Sequence, residues 1–421
     1  SWIYEQYGSL ENAARDWGYQ PRLIDGAVTG PTDDQLVQDG GWRQMVAAYR
    51  RFWDDLVCER YGAIARKIRT VDDSHLLGMR TGWAGNGQMA GVKGFALDLA
   101  SGSIHLDFIS PEYPSVEKTW PAFLEGGFTT AYARLVGGGK PVFWEEFGTR
   151  VGNRTGDLDE DWQTDYYKMA YRTYALSKVN AYAAWWYPGG WRVDEKSDFG
   201  LVNPDSTPRK AALVAPEQFS RVQDHKKSVS FITIDRDLYV PGYAGIFAAH
   251  KAEYIKKTIA GETVALKTAG TGTDSSNVPL IAVGNVPCNG NNPPKYLNAQ
   301  METVRVRGEG QPWRDLNMNG SELIVKRGKR IEISVLIGNT GEAKWLAPRP
   351  GLEKGAVYLI VKSGGREWRF PLSFDVPFSS KATISGLLDN VAEDSSEIEL
   401  RMCAEGRVSF GRRVKLKFAS D

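Results

Sequence analysis

Four short apolar segments in the first half of the sequence each end in side chains that are capable of chemistry. These end groups are Arg80 and Trp83, then Glu112 and Tyr113, then Glu145 and Glu146, and finally Trp185, Trp186 and Tyr187. Carboxylates act as nucleophiles and as general acids or bases, and aromatic rings offer flat apolar faces to a ligand. The pattern therefore indicates a site of acid–base or nucleophilic chemistry beside an aromatic surface.

Helical segments separate these apolar stretches and must position them. Residues 42–70 predict a long helix, Ser9 is a candidate N-cap, and Asp157 or Asp159 is another. The first apolar segment, residues 76–79, predicts a buried strand. Strand and helix alternate in units of roughly 30–45 residues, which predicts a parallel sheet of βα repeats. Because a (β/α)8 barrel carries its active site at the carboxyl ends of its strands, we expect the four groups to face one mouth.

The overall composition excludes several classes of function. With 421 residues and a formal net charge of +1, the chain lacks the basic surplus that nucleic-acid or anionic-membrane partners require. No apolar run reaches the roughly 18 residues of a membrane span. Four histidines, three cysteines and no zinc motif predict neither a metal site nor a cofactor. The 14 Trp and 18 Tyr are many for this length and suit surfaces that stack on sugar rings.

Three of the four segments resemble strands of one group of enzymes. The stretch KPVFWEEFG is similar to the seventh strand of the clan A retaining glycoside hydrolases, and the resemblance makes Glu146 the nucleophile. SPEYP is similar to their sixth strand, whose tyrosine hydrogen-bonds the nucleophile. Tyr113 matches that tyrosine, whereas Pro111 stands where the clan has a histidine. AAWWYPGGW resembles their eighth strand, whose tryptophan forms a platform under the sugar, so Trp185 or Trp186 takes that role.

The opening stretch YGSLENAARDWGY resembles a helix pair of the family 42 β-galactosidases of the same clan. In that family the pair follows the fourth strand. On this resemblance strands 5–8 lie in this chain, whereas the first four strands and the Asn-Glu of the acid/base lie upstream of Ser1. Residues 1–215 contain no Asn-Glu dipeptide, which supports this expectation. The upstream half-barrel is expected from the same gene or from a partner chain.

Retention of configuration requires two carboxyl groups about 5–5.5 Å apart, one to attack and one to protonate the leaving oxygen. Glu146 is expected to attack. Because side chains alternate along a strand, we expect Glu145 to point to the opposite face. We assign Glu112 a hydrogen bond to the substrate.

The other candidates allow two interpretations each. Arg80 is either a substrate contact or a structural ion pair, and Trp83 is either a packing residue or part of the substrate site. Of the neighbours Trp185 and Trp186, one is expected to face the mouth while the other packs.

The predicted fold class is α/β, with three domains. Residues 1–215 are expected to form strands 5–8 of a (β/α)8 TIM barrel, residues 216–300 a small α/β module, and residues 301–421 an immunoglobulin-like β-sandwich. Ser363-Gly364-Gly365 predicts a hairpin turn in the last of these. The glycine-rich AGTGTDSS has no phosphate-loop lysine and is interpreted as a plain loop.

Together these features predict a retaining β-glycosidase that acts on an oligosaccharide or polysaccharide, with a β-galactoside favoured by the resemblance. The alternative is a non-catalytic carbohydrate-binding or scaffolding protein with a degenerate barrel. The accessory sandwich favours a secreted or periplasmic bacterial protein. A homo-oligomer is left open.

Overall fold

The fold is described from a computed structural model. It describes residues 2–81, 98–112, 114, 119–151, 159–220, 229–234, 236, 239–268, 297–316, 330–341, 343–352, 355–377, 379–391, 395, 397–406 and 408–417. The chain divides into two compact units. The sheet unit is residues 65–268, and the sandwich unit is residues 1–64 together with 269–421. The three domains predicted from the sequence, residues 1–215, 216–300 and 301–421, remain a prediction.

Helices and strands alternate in the first half of the described chain, and strands dominate the last third. The α-helices are α1 (Trp2–Tyr7), α2 (Leu10–Trp17), α3 (Asp33–Val37), α4 (Arg43–Arg69), α5 (Trp120–Val136), α6 (Glu160–Leu176), α7 (Glu217–Ser220) and α8 (Tyr243–Ile259). The strands are β1 (Leu23–Ile24), β2 (Ala27–Val28), β3 (Arg80–Thr81), β4 (Ser110–Pro111), β5 (Phe143–Phe147), β6 (Ala181–Ala184), β7 (Val229–Ile234), β8 (Thr263–Thr268), β9 (Ala299–Gly308), β10 (Arg314–Leu316), β11 (Arg330–Asn339), β12 (Val357–Ser363), β13 (Arg366–Pro371), β14 (Lys381–Asp389), β15 (Glu397–Ala404) and β16 (Val408–Lys417). None of these helices has both the length and the apolar character that crossing a membrane requires.

Four neighbouring parallel strands form the centre of the sheet unit. β3 pairs with β4, and β5 pairs with β6, in each case in parallel. Two parallel bridges, Ile109 with Val142 and Glu112 with Glu146, join the β4 segment to β5. The predicted alternation of strand and helix is therefore seen from β4 through α5, β5 and α6 to β6. Among the described residues, however, no further strand closes these four into a barrel, so the predicted TIM barrel is not seen as a closed structure.

Helices α5 and α6 cover one face of this sheet. Trp144 of β5 is fully buried, stacks on Tyr174 of α6 with ring centroids 5.6 Å apart, and donates its indole N–H to Thr130 Oγ1 of α5 at 3.0 Å. Phe147 meets the same Tyr174 edge to face at 5.1 Å. Full burial of a large aromatic side chain contributes about 2–3 kcal/mol, so these contacts fix β5 against its helices.

A βαβ module completes the sheet unit. β7 and β8 pair in parallel, with α8 as the connection between them. α8 packs on α5, where Tyr243 stacks on Tyr132 with ring centroids 4.5 Å apart. Phe247 also contacts Phe128 edge to face at 5.7 Å. This strand–helix–strand order agrees with the small α/β module predicted for this part of the chain.

The sandwich unit contains two antiparallel four-stranded sheets. Their strand orders are β10-β9-β11-β14 and β13-β12-β15-β16. Alternate residues of β11, namely Ile331, Ile333, Val335 and Ile337, are fully buried, as the period of a half-buried strand predicts. Trp345 is also fully buried in this core. The two-sheet sandwich is thus present, and its assignment as immunoglobulin-like stays a prediction.

Several local predictions can be checked directly. Ser9 accepts a hydrogen bond from the Asn12 N–H at 3.1 Å, and Asp159 accepts one from the Trp162 N–H at 2.9 Å, so both caps are confirmed. The hairpin between β12 and β13 turns at Gly364 and Gly365, whose φ angles are 53° and 76°. Because both angles lie in the left-handed region, two glycines suit this turn.

The strand predicted over residues 76–79 is wrong. Leu76 is 73% exposed, and sheet pairing begins only at Arg80. Leu77 is instead held by Asp107, since its N–H bonds the Asp107 carboxylate at 2.7 Å and its carbonyl accepts the Asp107 N–H at 2.7 Å. These two bonds to Asp107, one to its side chain and one to its backbone, hold the segment in place of the regular backbone pairing of a strand.

Candidate active site at the strand ends

Two glutamates meet where β4 and β5 end. Glu112 and Glu146 are partners in a parallel bridge, so their positions along the two strands are matched. The Glu112 side chain is 1% exposed, whereas that of Glu146 is 16% exposed. Glu146 is thus the member of the pair that solvent or a ligand can reach.

Arg80, at the end of β3, holds both carboxyl groups. Its Nε and Nη2 atoms donate to the two oxygens of Glu112 at 3.0 and 2.7 Å. The same Nη2 lies 2.9 Å from Oε2 of Glu146. A bidentate guanidinium–carboxylate contact is among the strongest polar contacts in proteins, and the hydrogen bond with Glu112 raises the pKa of Arg80 further. Arg80 therefore joins three adjacent strands.

The surroundings of Glu146 raise its pKa to about 7. Burial is the main cause, because a carboxylate loses hydration there. The negative charge and the hydrogen bond of Glu112 act in the same direction, and so does the more distant charge of Glu195, while Arg80 opposes them. A carboxyl group with this pKa changes its protonation near neutral pH, as an acid or base in catalysis must.

Strand alternation predicted that Glu145 points to the helix-covered face. In the structure it does not. The pairing of β5 with β6 shifts register between Trp144 and Phe147, which marks a β-bulge over the two glutamates. Trp144 and Phe147 both contact Tyr174, so the residues flanking the bulge share the helix side.

The charges around Glu145 give the same result. The Arg80 and Glu112 charges both act on its carboxyl group, which places it on the side of Glu146. Burial raises the pKa of Glu145, and contact with Ser110 opposes that rise. Its Oε1 atom is buried and has no hydrogen bond within the described part of the chain.

Trp185 and Trp186 follow β6 and lie side by side. Their ring centroids are 4.8 Å apart, and the peptide bond between them is cis. The guanidinium group of Arg192 lies over both rings, 5.4 Å from the Trp185 centroid and 4.9 Å from that of Trp186. Both rings thus face the same cation, and the expectation that one faces the mouth while the other packs stays a prediction.

A small hairpin places Arg192 over the tryptophans. The Arg192 N–H donates to the Ser197 carbonyl at 2.8 Å, and Arg192 Nη1 lies 3.1 Å from Glu195 Oε1. Since the charge of Glu195 helps to raise the pKa of Glu146, the hairpin belongs to the surroundings of this carboxyl group. The place of Arg192 and Glu195 near this site was not predicted from the sequence. The only signal there is the charged run that follows the Trp pair.

A buried ion pair forms the base of the loop after β6. Arg209 is 1% exposed and contacts both oxygens of Asp198, at 2.9 and 2.8 Å. Asp198 also accepts the N–H groups of Gly190 at 3.1 Å and Gly200 at 3.0 Å. These bonds lower the pKa of Asp198 against the effect of its burial, so the loop is built around a fixed carboxylate.

Two further contacts align the loops after β5 and β6. The amide group of Gln163, from α6, donates to the carbonyls of Thr149, Phe199 and Gly200 at 3.4, 3.3 and 3.1 Å. At Gly148 a Cβ atom would overlap the carbonyl oxygen of Trp185. The chain therefore approaches β6 as closely as only glycine permits.

The predicted site residues fall into three groups. Glu146, Glu112 and Arg80 are brought into direct contact, and Trp185 and Trp186 lie together after the next strand. Tyr113 and Trp83, the predicted nucleophile partner and substrate contact, lie outside the described residues.

Elsewhere in the described chain no cluster of metal ligands is found. No group of three or more His, Cys, Asp or Glu residues is placed there to hold a metal ion. The sandwich unit does have a cavity of about 580 Å³, lined by aromatic and aliphatic side chains of α1, α2 and α4. Two of its indole N–H groups are already bonded, Trp2 to Asp55 and Trp17 to Tyr7.

Comparisons with known proteins add a likeness of fold. No protein-family model matches the sequence, and no curated protein matches it. The structure is similar to a β-galactosidase from Halorubrum lacusprofundi, with 13% identity, a TM-score of 0.49, and coverage of 92% of this chain and 76% of the other.

Two other β-galactosidase structures are similar to the same degree. One, from Bacillus circulans sp. alkalophilus, has 11% identity and a TM-score of 0.47, covering 91% of this chain and 75% of the other. The other is a GH42 enzyme from G. stearothermophilus with 10% identity and a TM-score of 0.44. This chain is matched over 100% of its length there but spans only 62% of that protein.

Proposed function

We propose that the sheet unit carries the nucleophile side of a retaining β-glycosidase, with Glu146 as the nucleophile. The observation that supports this proposal is the placement of Glu146. Its carboxyl group ends a central parallel strand, stays 16% exposed, and is held by Arg80. The next strand ends in the paired rings of Trp185 and Trp186. Attack on a sugar ring needs a reachable carboxylate, and aromatic rings offer flat apolar faces on which a sugar can pack.

In this mechanism Glu146 attacks the anomeric carbon and forms a covalent glycosyl ester while the leaving group departs. The second carboxyl group must lie about 5–5.5 Å from the first, so that the sugar fits between them. Glu112 does not meet this condition, because it hydrogen-bonds Glu146 directly. The acid/base residue is therefore proposed to come from strands other than β3–β6.

A partner half-barrel, encoded by the same gene or supplied by another chain, is part of this proposal. β3 and β6 are the outer strands of the described parallel set. Both faces of a parallel sheet are normally covered, and an exposed edge strand leaves a row of unpaired backbone groups, which a closed barrel removes. Additional parallel strands beside β3 and β6 would satisfy the backbone groups of both edges and bring the acid/base residue to the same mouth.

The proposed substrate is a β-galactoside within an oligosaccharide. The resemblance of the sequence to the family 42 β-galactosidases supports this choice. Trp185 and Trp186 offer apolar ring faces of the kind on which the apolar face of a sugar packs. Tyr113 keeps its proposed role as a hydrogen-bond donor to Glu146.

Covalent trapping tests the nucleophile without requiring the acid/base residue. A 2,4-dinitrophenyl 2-deoxy-2-fluoro-β-galactoside carries a leaving group that departs as its own anion, so no proton donor is needed. The bond from C1 to the phenolate oxygen breaks while the bond from C1 to the Glu146 carboxylate forms. We expect peptide mass spectrometry to find the sugar on Glu146.

Two variants control this experiment. Glu146→Gln should abolish labelling, whereas Glu145→Gln, which changes the adjacent glutamate, should still be labelled on Glu146. Labelling of another residue, or no labelling of the folded protein over a range of pH, would contradict the proposed nucleophile.

A non-catalytic carbohydrate-binding protein is the second candidate. The pKa of Glu146 near 7 favours it, because a protonated carboxyl group is a poor nucleophile. Such a protein should bind galactosides in calorimetry with equal affinity before and after Glu146→Gln, and it should lose binding with Trp185→Ala. Trapping on Glu146 would exclude it.

A further inference from the structure

We propose that Arg80 and Glu112 are positioning residues that clamp Glu146. From the sequence, Arg80 was either a substrate contact or a structural ion pair, and Glu112 was expected to hydrogen-bond the substrate. The clamp holds the Glu146 carboxyl group in place and sets the pH at which it becomes an anion. This inference rests on the proposed function only in so far as Glu146 is the reacting group. The clamp itself has a readout that does not require activity.

Glu112 directs both of its carboxyl oxygens at Arg80, whose own side chain stays 55% exposed. Both oxygens of Glu112 accept from Arg80, at 2.7 and 3.0 Å, and the Glu112 side chain is 1% exposed. It therefore has almost no surface to offer a substrate. The Nη2 atom of Arg80 also contacts Glu146 at 2.9 Å. A planar guanidinium group suits this role because it engages one carboxylate with two nitrogens in a fixed fork.

Backbone pairing makes the clamp rigid. Arg80 lies in β3, which pairs with β4, and Glu112 is the bridge partner of Glu146 at the end of β5. One guanidinium group thus spans three neighbouring strands. Groups carried by strands and held by several bonds keep their geometry better than groups on loops.

The charges that act on Glu146 come from three segments. Arg80 of β3 is cationic, whereas Glu112 after β4 and Glu195 of the loop after β6 are acidic; Glu195 is itself paired with Arg192. Because Glu112 contacts Glu146 directly, its negative charge opposes the ionisation of Glu146. With Glu146 protonated, the three groups are together neutral. With Glu146 ionised, they carry one negative charge.

Carboxyl carbon NMR on protein with labelled glutamate tests the clamp. The Glu146 signal is assigned by its loss in Glu146→Gln, and its chemical shift is followed from pH 4 to pH 9. In Glu112→Gln we expect the titration midpoint of Glu146 to fall by about one pH unit or more, because the neighbouring negative charge is removed. In Arg80→Met we expect it to rise, because the opposing positive charge is lost.

Asp107→Asn provides the matched control. Asp107 precedes β4 in the same segment as Glu112, and it also pairs with an arginine, since it lies 2.6 Å from Arg69 Nη2. Asp107 is not among the groups that shift the pKa of Glu146. Its replacement should leave the midpoint of Glu146 unchanged.

Arg80→Met leaves Glu112 buried without its partner and therefore endangers folding. The double variant Arg80→Met/Glu112→Gln removes both charges together and avoids this problem. It should show a midpoint for Glu146 between those of the two single variants. A midpoint that stays within a few tenths of the wild-type value in Glu112→Gln, or one in the double variant that lies outside the range set by the two single variants, would overturn the clamp.

The two proposals fail separately. Trapping on Glu146 without any shift in its midpoint would overturn the clamp and leave the glycosidase proposal intact. The expected shifts in a protein that is never labelled would support the clamp and contradict the glycosidase. Where turnover is measurable, a positioning role predicts that Glu112→Gln lowers kcat and displaces the pH profile at nearly constant KM, whereas a substrate contact would mainly raise KM.

Discussion

The carboxyl groups of Glu112 and Glu146 share the guanidinium group of Arg80, although the three residues lie at the ends of three different strands. Glu112 is enclosed by this contact, while Glu146 remains partly exposed. Burial raises the pKa of Glu146, so the folded protein keeps a proton on this carboxyl group at pH values at which an exposed glutamate is ionised. This connects the chemistry of the site with the stability of the protein.

Stability should depend on pH through Glu146. The ordinary pKa of a glutamate is about 4.3, whereas that of Glu146 is raised to about 7. Between these values the folded protein holds a proton that the unfolded chain has released, so this stabilisation is full below about pH 4.3 and is lost as the pH rises through 7. Because Glu146 is partly exposed, we expect Glu146→Gln to stabilise by only about 1 kcal/mol at pH 8.

Urea unfolding at pH 5 and pH 8 measures this effect. The gain in free energy of unfolding with Glu146→Gln should be clearly larger at pH 8 than at pH 5. Asp165→Asn removes an exposed carboxylate that is paired with Lys168 at 3.2 Å and should show no such difference. Equal effects of Glu146→Gln at the two pH values would contradict the raised pKa.

A second buried acid, Asp16 of α2, should behave in the same way in the sandwich unit. Burial raises its pKa to about 7, and its Oδ1 atom makes no hydrogen bond among the residues that the structure describes. Asp16→Asn should therefore stabilise by about 2 kcal/mol at pH 8 and by much less at pH 5. Hydrogen exchange of the α2 amides at both pH values reports this locally, and Glu11→Gln in the exposed first turn of the helix is the control.

Removing the buried cation of the loop after β6 should be costly. Arg209→Met leaves Asp198 buried without its bidentate partner, and breaking such a pair destabilises by about 3–5 kcal/mol. The exposed pair of Arg349 with Asp375, 3.0 Å apart, provides a comparison, since Arg349→Met should cost less than about 1 kcal/mol. Thermal unfolding of both variants decides the point, and similar losses in the two would show that the Asp198 pair is not special.

Gly148→Ala should disturb the contact between β5 and β6. The new methyl group would overlap the Trp185 carbonyl oxygen, and overpacking of this kind costs about 1–3 kcal/mol. Gly41→Ala, where no atom lies within 4 Å of the added carbon, should be close to neutral. Tryptophan fluorescence during unfolding compares the two, and a neutral Gly148→Ala would mean that the strands can separate without loss.

Local features were predictable from the sequence because their causes are local. The Ser9 and Asp159 caps, the long helix α4 and the turn at Gly364 and Gly365 follow from residue type and spacing. The carboxyl-end placement of Glu112 and Glu146 followed from the βα pattern alone.

The features that the sequence did not reveal depend on distant partners. Strand alternation fails at Glu145 because the bulge depends on the pairing of β5 with β6. Arg192 reaches Trp185 and Trp186 only because a hairpin folds it back. The hydrophobic periodicity of the sequence does not predict this hairpin. The exposure of Leu76 likewise reflects the bonds that its neighbour makes with Asp107, a residue 30 positions away from that neighbour.

One buried amide group, that of Gln163, links the loop after β5 to the loop after β6. Gln163 donates to Thr149 in the loop after β5 and to Phe199 and Gly200 in the loop after β6. Neither loop can therefore be lengthened, shortened or grafted from another protein without regard to the other. We therefore expect sequence changes that alter ligand choice at this mouth to replace both loops together. The other place for such changes is the segment around Arg192, because the bonds of Gln163 go to Thr149, Phe199 and Gly200.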